Sequence, residues 1–200
     1  KLSYIRNNKA DTFHLNNRLG DEKITGLYQD TKGKLWIATY GNGLYSFSEN
    51  NLQHYTIQEG LGDDMIYTIC SDDQNKLWLG TDAGITILEP EGNITHKSFS
   101  TLTSKNGLPD NIVRSICYTG EDEMIIAMQD SGICFYDLKK REIVKNSFFS
   151  QWNHGAIKDI SYIKQNKELL FVTEKKGLFV IRSGQISIYN QSKGLLSNEL

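Results

Sequence analysis

No stretch of this 200-residue sequence approaches the ~18 continuous apolar residues that a membrane-spanning helix needs. The first residues, Lys1-Leu2-Ser3-Tyr4-Ile5-Arg6, alternate like a strand and lack the apolar run of a secretory signal. Charge of one sign is also missing: the formal net charge is −2, which provides no electrostatic footprint for DNA or RNA. There is no Gly-x-Ser-x-Gly elbow, no phosphate-binding loop and no metalloprotease helix. The three cysteines, Cys70, Cys117 and Cys134, do not have metal-ligand spacing. Helical periodicity is sustained nowhere.

What is present is a repeat. Lys34-Leu35-Trp36-Ile37-Ala38-Thr39 returns as Lys76-Leu77-Trp78-Leu79-Gly80-Thr81, with the two tryptophans 42 positions apart. A period of that size built from strand-like residues indicates propeller blades, units that cannot bury their apolar faces alone. With 38% apolar and 23% charged residues, the chain can fold around a core.

Four units align. Inner strands begin at Ile24, Ile66, Val113 and Ile157, and polar turns follow. Gly33 and Asn75 each stand three residues before the tryptophan position, where a tight hairpin calls for positive φ. The second strands are Leu35–Ala38, Leu77–Gly80, Met124–Ala127 and Leu169–Val172, nearly continuous apolar runs suited to burial on both faces. The small residues Ala38, Gly80 and Ala127 are expected to make room for a large ring of the adjacent sheet, and the fourth unit is ambiguous between Phe171 and Val172. Gly43, Gly84, Gly132 and Gly177 precede the third strands. More polar fourth strands are expected at Leu52–Tyr55, Ile94–Lys97, Ile143–Asn146 and Ile186–Tyr189. Cys70 and Cys117 hold equivalent places, filled by Tyr28 and Ser161 in the other units, and the cysteines are expected to be small buried apolar side chains.

The expected architecture is therefore all-β: a β-propeller fragment of four-stranded antiparallel blades, about four whole blades plus a half blade. Residues 1–20 are expected to be the second half of a preceding blade. Blades are expected at 21–59, 60–106, 107–153 and 154–193, with 194–200 a linker into the next blade, all in one propeller domain. A ring of seven blades at ~45 residues each needs about 300 residues. The expectation is thus an open arc belonging to a longer chain.

The unit resembles the two-component regulator propeller repeat. The resemblance is carried by Asp30, Gly33, Leu35, Trp36, Ile37, Thr39, Gly43 and Leu44 in the first unit. In the second it is carried by Asp72, Leu77, Trp78, Leu79, Gly80, Thr81, Gly84 and Ile85, and between blades by Gly107-Leu108-Pro109-Asp110-Asn111. It implies part of the periplasmic sensor region of a bacterial hybrid histidine kinase anchored in the inner membrane, which detects oligosaccharides. The implied partners are the remaining blades and downstream domains of the same polypeptide, a second copy in a homodimer, and an oligosaccharide ligand. No cofactor, metal, nucleic acid or catalytic residue is expected in this region.

Three of the four histidines, His14, His54 and His96, are expected on outer strands of successive blades, too far apart to converge on an ion, while His154 lies in a linker with a better claim to a ligand surface. Linkers into the inner strands and the turns before the repeated glycines are expected to share one face near the central channel. That gathers Arg18, Tyr40, Asn42, Asp64, Asp82, Asn111, Asp130, His154, Lys175 and Lys176 as candidate ligand-binding residues. Ring faces with amide and carboxylate groups are what a sugar site requires, although Asp and Asn also close turns. A protein-interaction propeller is the alternative, and a propeller hydrolase or lyase ranks below both.

Overall fold

The computed structural model describes residues 3–6, 9–12, 23–49, 51–144, 149 and 155–199. A two-stranded antiparallel hairpin, β1 (Ser3–Arg6) and β2 (Lys9–Thr12), precedes four four-stranded meanders. The first blade is β3 (Ile24–Gln29), β4 (Leu35–Thr39), β5 (Leu44–Ser48) and β6 (Asn51–Tyr55). The second is β7 (Ile66–Ser71), β8 (Leu77–Thr81), β9 (Gly84–Leu88) and β10 (Phe99–Leu102). The third is β11 (Val113–Tyr118), β12 (Glu123–Met128), β13 (Ile133–Asp137) and β14 (Glu142–Val144). The fourth is β15 (Ile157–Ile163), β16 (Glu168–Thr173), β17 (Gly177–Arg182) and β18 (Gln185–Tyr189). The four sheets form a β-propeller arc, as the repeat implies.

The core lies between the sheets. Trp36, Ala38, Leu44 and Tyr55 of the first blade pack on Ile66, Leu77, Leu79 and Leu88 of the second. Trp78, Ile85 and Leu102 meet Val113, Met124 and Ile126. Ile125, Ala127 and Ile133 meet Ile157, Phe171 and Phe179. Each fully buried side chain of this size contributes ~1.5–3 kcal/mol, and in these clusters residues of two adjoining blades are buried against one another.

The expected backbone demands are met. Gly33 has φ 81°, Asn75 60°, Asp122 58° and Lys167 52° at the same hairpin corner. Gly43, Gly84 and Gly177 have positive φ, and a Cβ there would collide with the carbonyl oxygens of Tyr55, Leu102 and Tyr189 respectively. The last residue of each of these fourth strands thus presses its backbone against the glycine, and only hydrogen fits between.

Three expectations need correction. The fourth strand of the second blade is Phe99–Leu102, not Ile94–Lys97, and His96 lies in a 3-10 turn spanning His96–Ser98. Pro90 follows the last β9 residues, and the longer connection then tucks Ile94 and Phe99 against the core between the first two blades. His96 therefore does not share the strand setting of His54. The small residue of the second strand also makes room for something other than a ring. A Cβ on Gly80 would stand 2.8 Å from the Val113 carbonyl oxygen and 2.7 Å from Thr68 Cγ2, so the next blade's inner strand fills the space. In the fourth blade Val172 takes this place, opposite Asp159 and Leu178.

Candidate functional site

All four inner strands carry the same irregularity. Their registers against the second strands skip between Ile24 and Gly26, Ile66 and Thr68, Val113 and Ser115, and Ile157 and Asp159. The extra residues are Thr25, Tyr67, Arg114 and Lys158. A bulge leaves one residue outside the ladder and re-aims its side chain. Here all four line one cleft of about 410 Å³ between the inner strands, together with Asp159.

Each bulge residue after the first meets the residue that follows the second strand of its own blade. The Tyr67 hydroxyl donates to Asp82 Oδ1 at 2.8 Å, Arg114 donates to Gln129 Oε1, and Lys158 Nζ lies 3.6 Å from Glu174 Oε1. Neighbouring blades then join these pairs. The Arg114 guanidinium lies over the Tyr67 ring at 4.0 Å. The Tyr40 ring meets Tyr67 edge-on at 5.8 Å, and Lys23 Nζ lies 5.1 Å from the Tyr40 centroid. Tyr40 remains 43% exposed, so much of its ring is open to solvent.

The Tyr67 phenol is pushed up to about 12, first by burial and then by its hydrogen bond to Asp82, against the pull of Arg114. It is a neutral donor at any physiological pH. Asp159 Oδ1 accepts from the Ser115 hydroxyl at 2.6 Å and from the Ile160 amide at 2.9 Å, which ties the third blade to the fourth.

The ten candidate residues separate by position. Tyr40 and Asp82 are drawn into the aromatic cluster beside the cleft. Asp64 and Asn111 are built into the inter-blade connections: their Oδ1 atoms accept from the amides of Ile57 (2.9 Å) and Ser104 (2.7 Å), and Asn198 does the same for Gln191 (2.7 Å). Their backbone carbonyls accept from Gly43, Gly84 and, for Asn198, Gly177. This side chain therefore fastens the turn of one blade to the entry of the next. The carbonyl of Asn42 contacts His54 Nε2 at 2.7 Å, and the His54 ring stacks on Tyr45. Asp130, Lys175 and Lys176 are exposed in the turns after the second strands, the Lys176 amide bonded to Thr173 Oγ1. Arg18 and His154 lie outside the described residues. Among the described residues no group of three or more His, Cys, Asp or Glu is placed to hold a metal ion.

Sequence reasoning missed Tyr67, Arg114, Lys158 and Gln129. The available signal was the residue directly after each inner strand's first apolar position. Its chemistry changes from blade to blade while the residue before it stays β-branched and apolar: Ile24, Ile66, Val113 and Ile157.

Residues 18–41 and 60–83 match the family model of the two-component regulator propeller. No curated protein matches the chain. Among solved structures it is similar to the extracellular domain of a B. thetaiotaomicron signalling protein. In a structure describing that protein as a one-component system, identity is 19%, the TM-score 0.69 and coverage 85% of this chain and 25% of that one. In another, describing a hybrid two-component system, the values are 22%, 0.61, 85% and 22%. PorZ, a surface component of the type-IX secretion system of Porphyromonas gingivalis, aligns at 13% identity and TM-score 0.74 over 98% of this chain and 32% of its own. Virginiamycin B lyase from Staphylococcus aureus aligns at 16% and 0.64 over 86% and 57%. At these identities the likeness is one of fold, and the chain spans about a quarter of the length of the B. thetaiotaomicron domain. The chain is a β-propeller arc in which the two segments matching that family model fall in the first two four-stranded sheets.

Proposed function

We propose that this chain is a non-catalytic sensor propeller of a hybrid two-component signalling protein. It binds an oligosaccharide in the periplasm and signals to a kinase module elsewhere in the polypeptide. The observation that carries this reading is the cleft at the inner-strand bulges, lined by Tyr67 and Arg114, with the part-exposed Tyr40 ring edge-on to Tyr67 beside it and the side chains of Asp82 and Gln129 bonded to the two lining residues. Sugars are recognised by that combination, an apolar face with hydrogen-bonding groups at its margin. Asp159, which lines the cleft, and Asp82, bonded to the lining Tyr67, are each held by a hydroxyl donor, an arrangement suited to orientation more than to proton transfer.

A rigid module signals only through a ligand's differential affinity for two arrangements of its neighbours. The other blades, the downstream domains and a second copy of the protein are the partners this reading requires. Calorimetric titration of the chain with a panel of plant, fungal and host oligosaccharides tests it. Saturable binding of at least one, weakened by Tyr40→Ala, is the expected result. A panel without any binder overturns the proposal.

A further inference from the structure

We propose that the ligand of this cleft carries an anionic group, a carboxylate or sulfate on a sugar, and that Arg114 holds it. The proposal rests on the oligosaccharide-sensing reading above and specifies the ligand class. Arg114 is half-buried on the third blade's bulge. Among the described residues no carboxylate lies within ion-pair distance of it. Its contacts are neutral: the amide oxygen of Gln129 and the face of Tyr67. A guanidinium remains charged at every relevant pH and has five N–H donors, of which one acceptor satisfies only part.

Stacking on Tyr67 fixes the plane of the guanidinium before any ligand arrives. A planar fork of parallel N–H groups is the arrangement that binds a carboxylate or sulfate through two oxygens at once. The second cation lining the cleft, Lys158, has Glu174 beside it, so among the described lining residues Arg114 is the cation without a carboxylate partner. Asp159 also lines the cleft, and its charge opposes an anion. That opposition makes Asp159 a probe of the ligand's sign.

The test is calorimetry on the full chain with glucuronate- and galacturonate-containing disaccharides, sulfated disaccharides, and neutral counterparts of the same linkages. The acidic sugars are expected to bind on the order of tenfold more tightly than the neutral ones. Arg114→Gln should erase that difference, Arg114→Lys should restore part of it, and Asp159→Asn should raise affinity several-fold. Melting curves identify any variant that fails to fold, and Arg114→Lys then carries the comparison. Whether uronates or sulfates bind identifies the source of the charge. Neutral sugars binding as well as acidic ones, with Arg114→Gln silent, overturns the anionic ligand and leaves the sensor reading intact. Failure of every saccharide overturns both.

Discussion

The indole N–H of Trp78 donates to Asp72 Oδ2 at 2.9 Å, six residues upstream, while Asp72 Oδ1 accepts from the amides of Gln74 and Lys76. The first blade repeats the arrangement, with Trp36 on Asp30 Oδ2 at 3.0 Å and the amides of Lys32 and Lys34 on Oδ1. One carboxylate thus closes the hairpin and satisfies the indole. Trp78 is 2% exposed and Asp72 6%, so neither can turn to water. In the third blade Ile125 replaces the tryptophan and Thr119 the aspartate, and Thr119 bonds only backbone. The carboxylate is absent there together with the indole that required it.

Asp72→Ala should therefore cost about 2–3 kcal/mol, because it orphans a buried indole N–H and two turn amides. Trp78→Phe removes the donor but keeps an aromatic ring. The double variant should be less destabilised than the sum of the two by about 1 kcal/mol. Urea unfolding of the four proteins measures this, and strict additivity would mean that the bond contributes nothing.

Gly84→Ala should destabilise by about 3 kcal/mol or more. At φ 105° an L side chain is strained, and its Cβ would meet the Leu102 carbonyl, which is backbone and cannot swing aside. Gly92 provides the control: its φ is 70°, but a Cβ there meets nothing within 4 Å. Gly92→Ala should cost about 1 kcal/mol, the conformational part alone. Thermal melts of the two variants separate clash from conformation.

The Cys70 thiol is pushed up to about 11, chiefly by burial, and Cys117 moves in the same direction for the same reason. The folded state keeps its thiol protons at pH values where an unfolded chain releases them. Stability is accordingly whole below pH 9 and falls as pH rises from about 9 towards 11. Alkylation of Cys70 in the folded protein should be slow at pH 8, since the thiolate is the reacting species. Labelling at that pH as fast as in denaturant would show that the thiol is neither buried nor shifted.

The repeat's backbone requirements were partly legible in the sequence, most clearly where glycine or asparagine meets them, whereas Asp122 and Lys167 fill the same hairpin corner without announcing it. Positive φ at a hairpin corner selected Gly33 and Asn75, and contact with a carbonyl selected Gly43, Gly84 and Gly177. Apolar runs likewise disclosed the second strands. The β10 segment was obscured because Ile94-Thr95-His96-Lys97 imitates a polar outer strand, while the true strand begins after a ten-residue connection. Asp64 and Asn111 drew notice as polar residues near the channel, and their side chains serve the inter-blade clamp. The bulge residues left a fainter trace. Thr, Tyr, Arg and Lys each follow the first β-branched residue of an inner strand but differ in size and charge, and the skipped register is what shows that they occupy one position.

Tyr67 contributes two separable things to the cleft, a hydroxyl for Asp82 and a ring for Arg114. Tyr67→Phe removes the first and retains the second. It should cost about 1 kcal/mol of stability, since Asp82 loses its donor, while changing acidic-sugar affinity by less than about threefold. Tyr67→Leu removes the ring, so the guanidinium loses the surface that fixes its plane and must be ordered at the moment of binding. Immobilising such a side chain costs ~0.5–1.5 kcal/mol, to which the lost cation–π contact adds a similar amount, so affinity should fall on the order of tenfold. Calorimetry and urea unfolding on both variants read the two effects independently. Equal losses of affinity in Phe and Leu would assign recognition to the hydroxyl and leave the Arg114 stack without a role in binding.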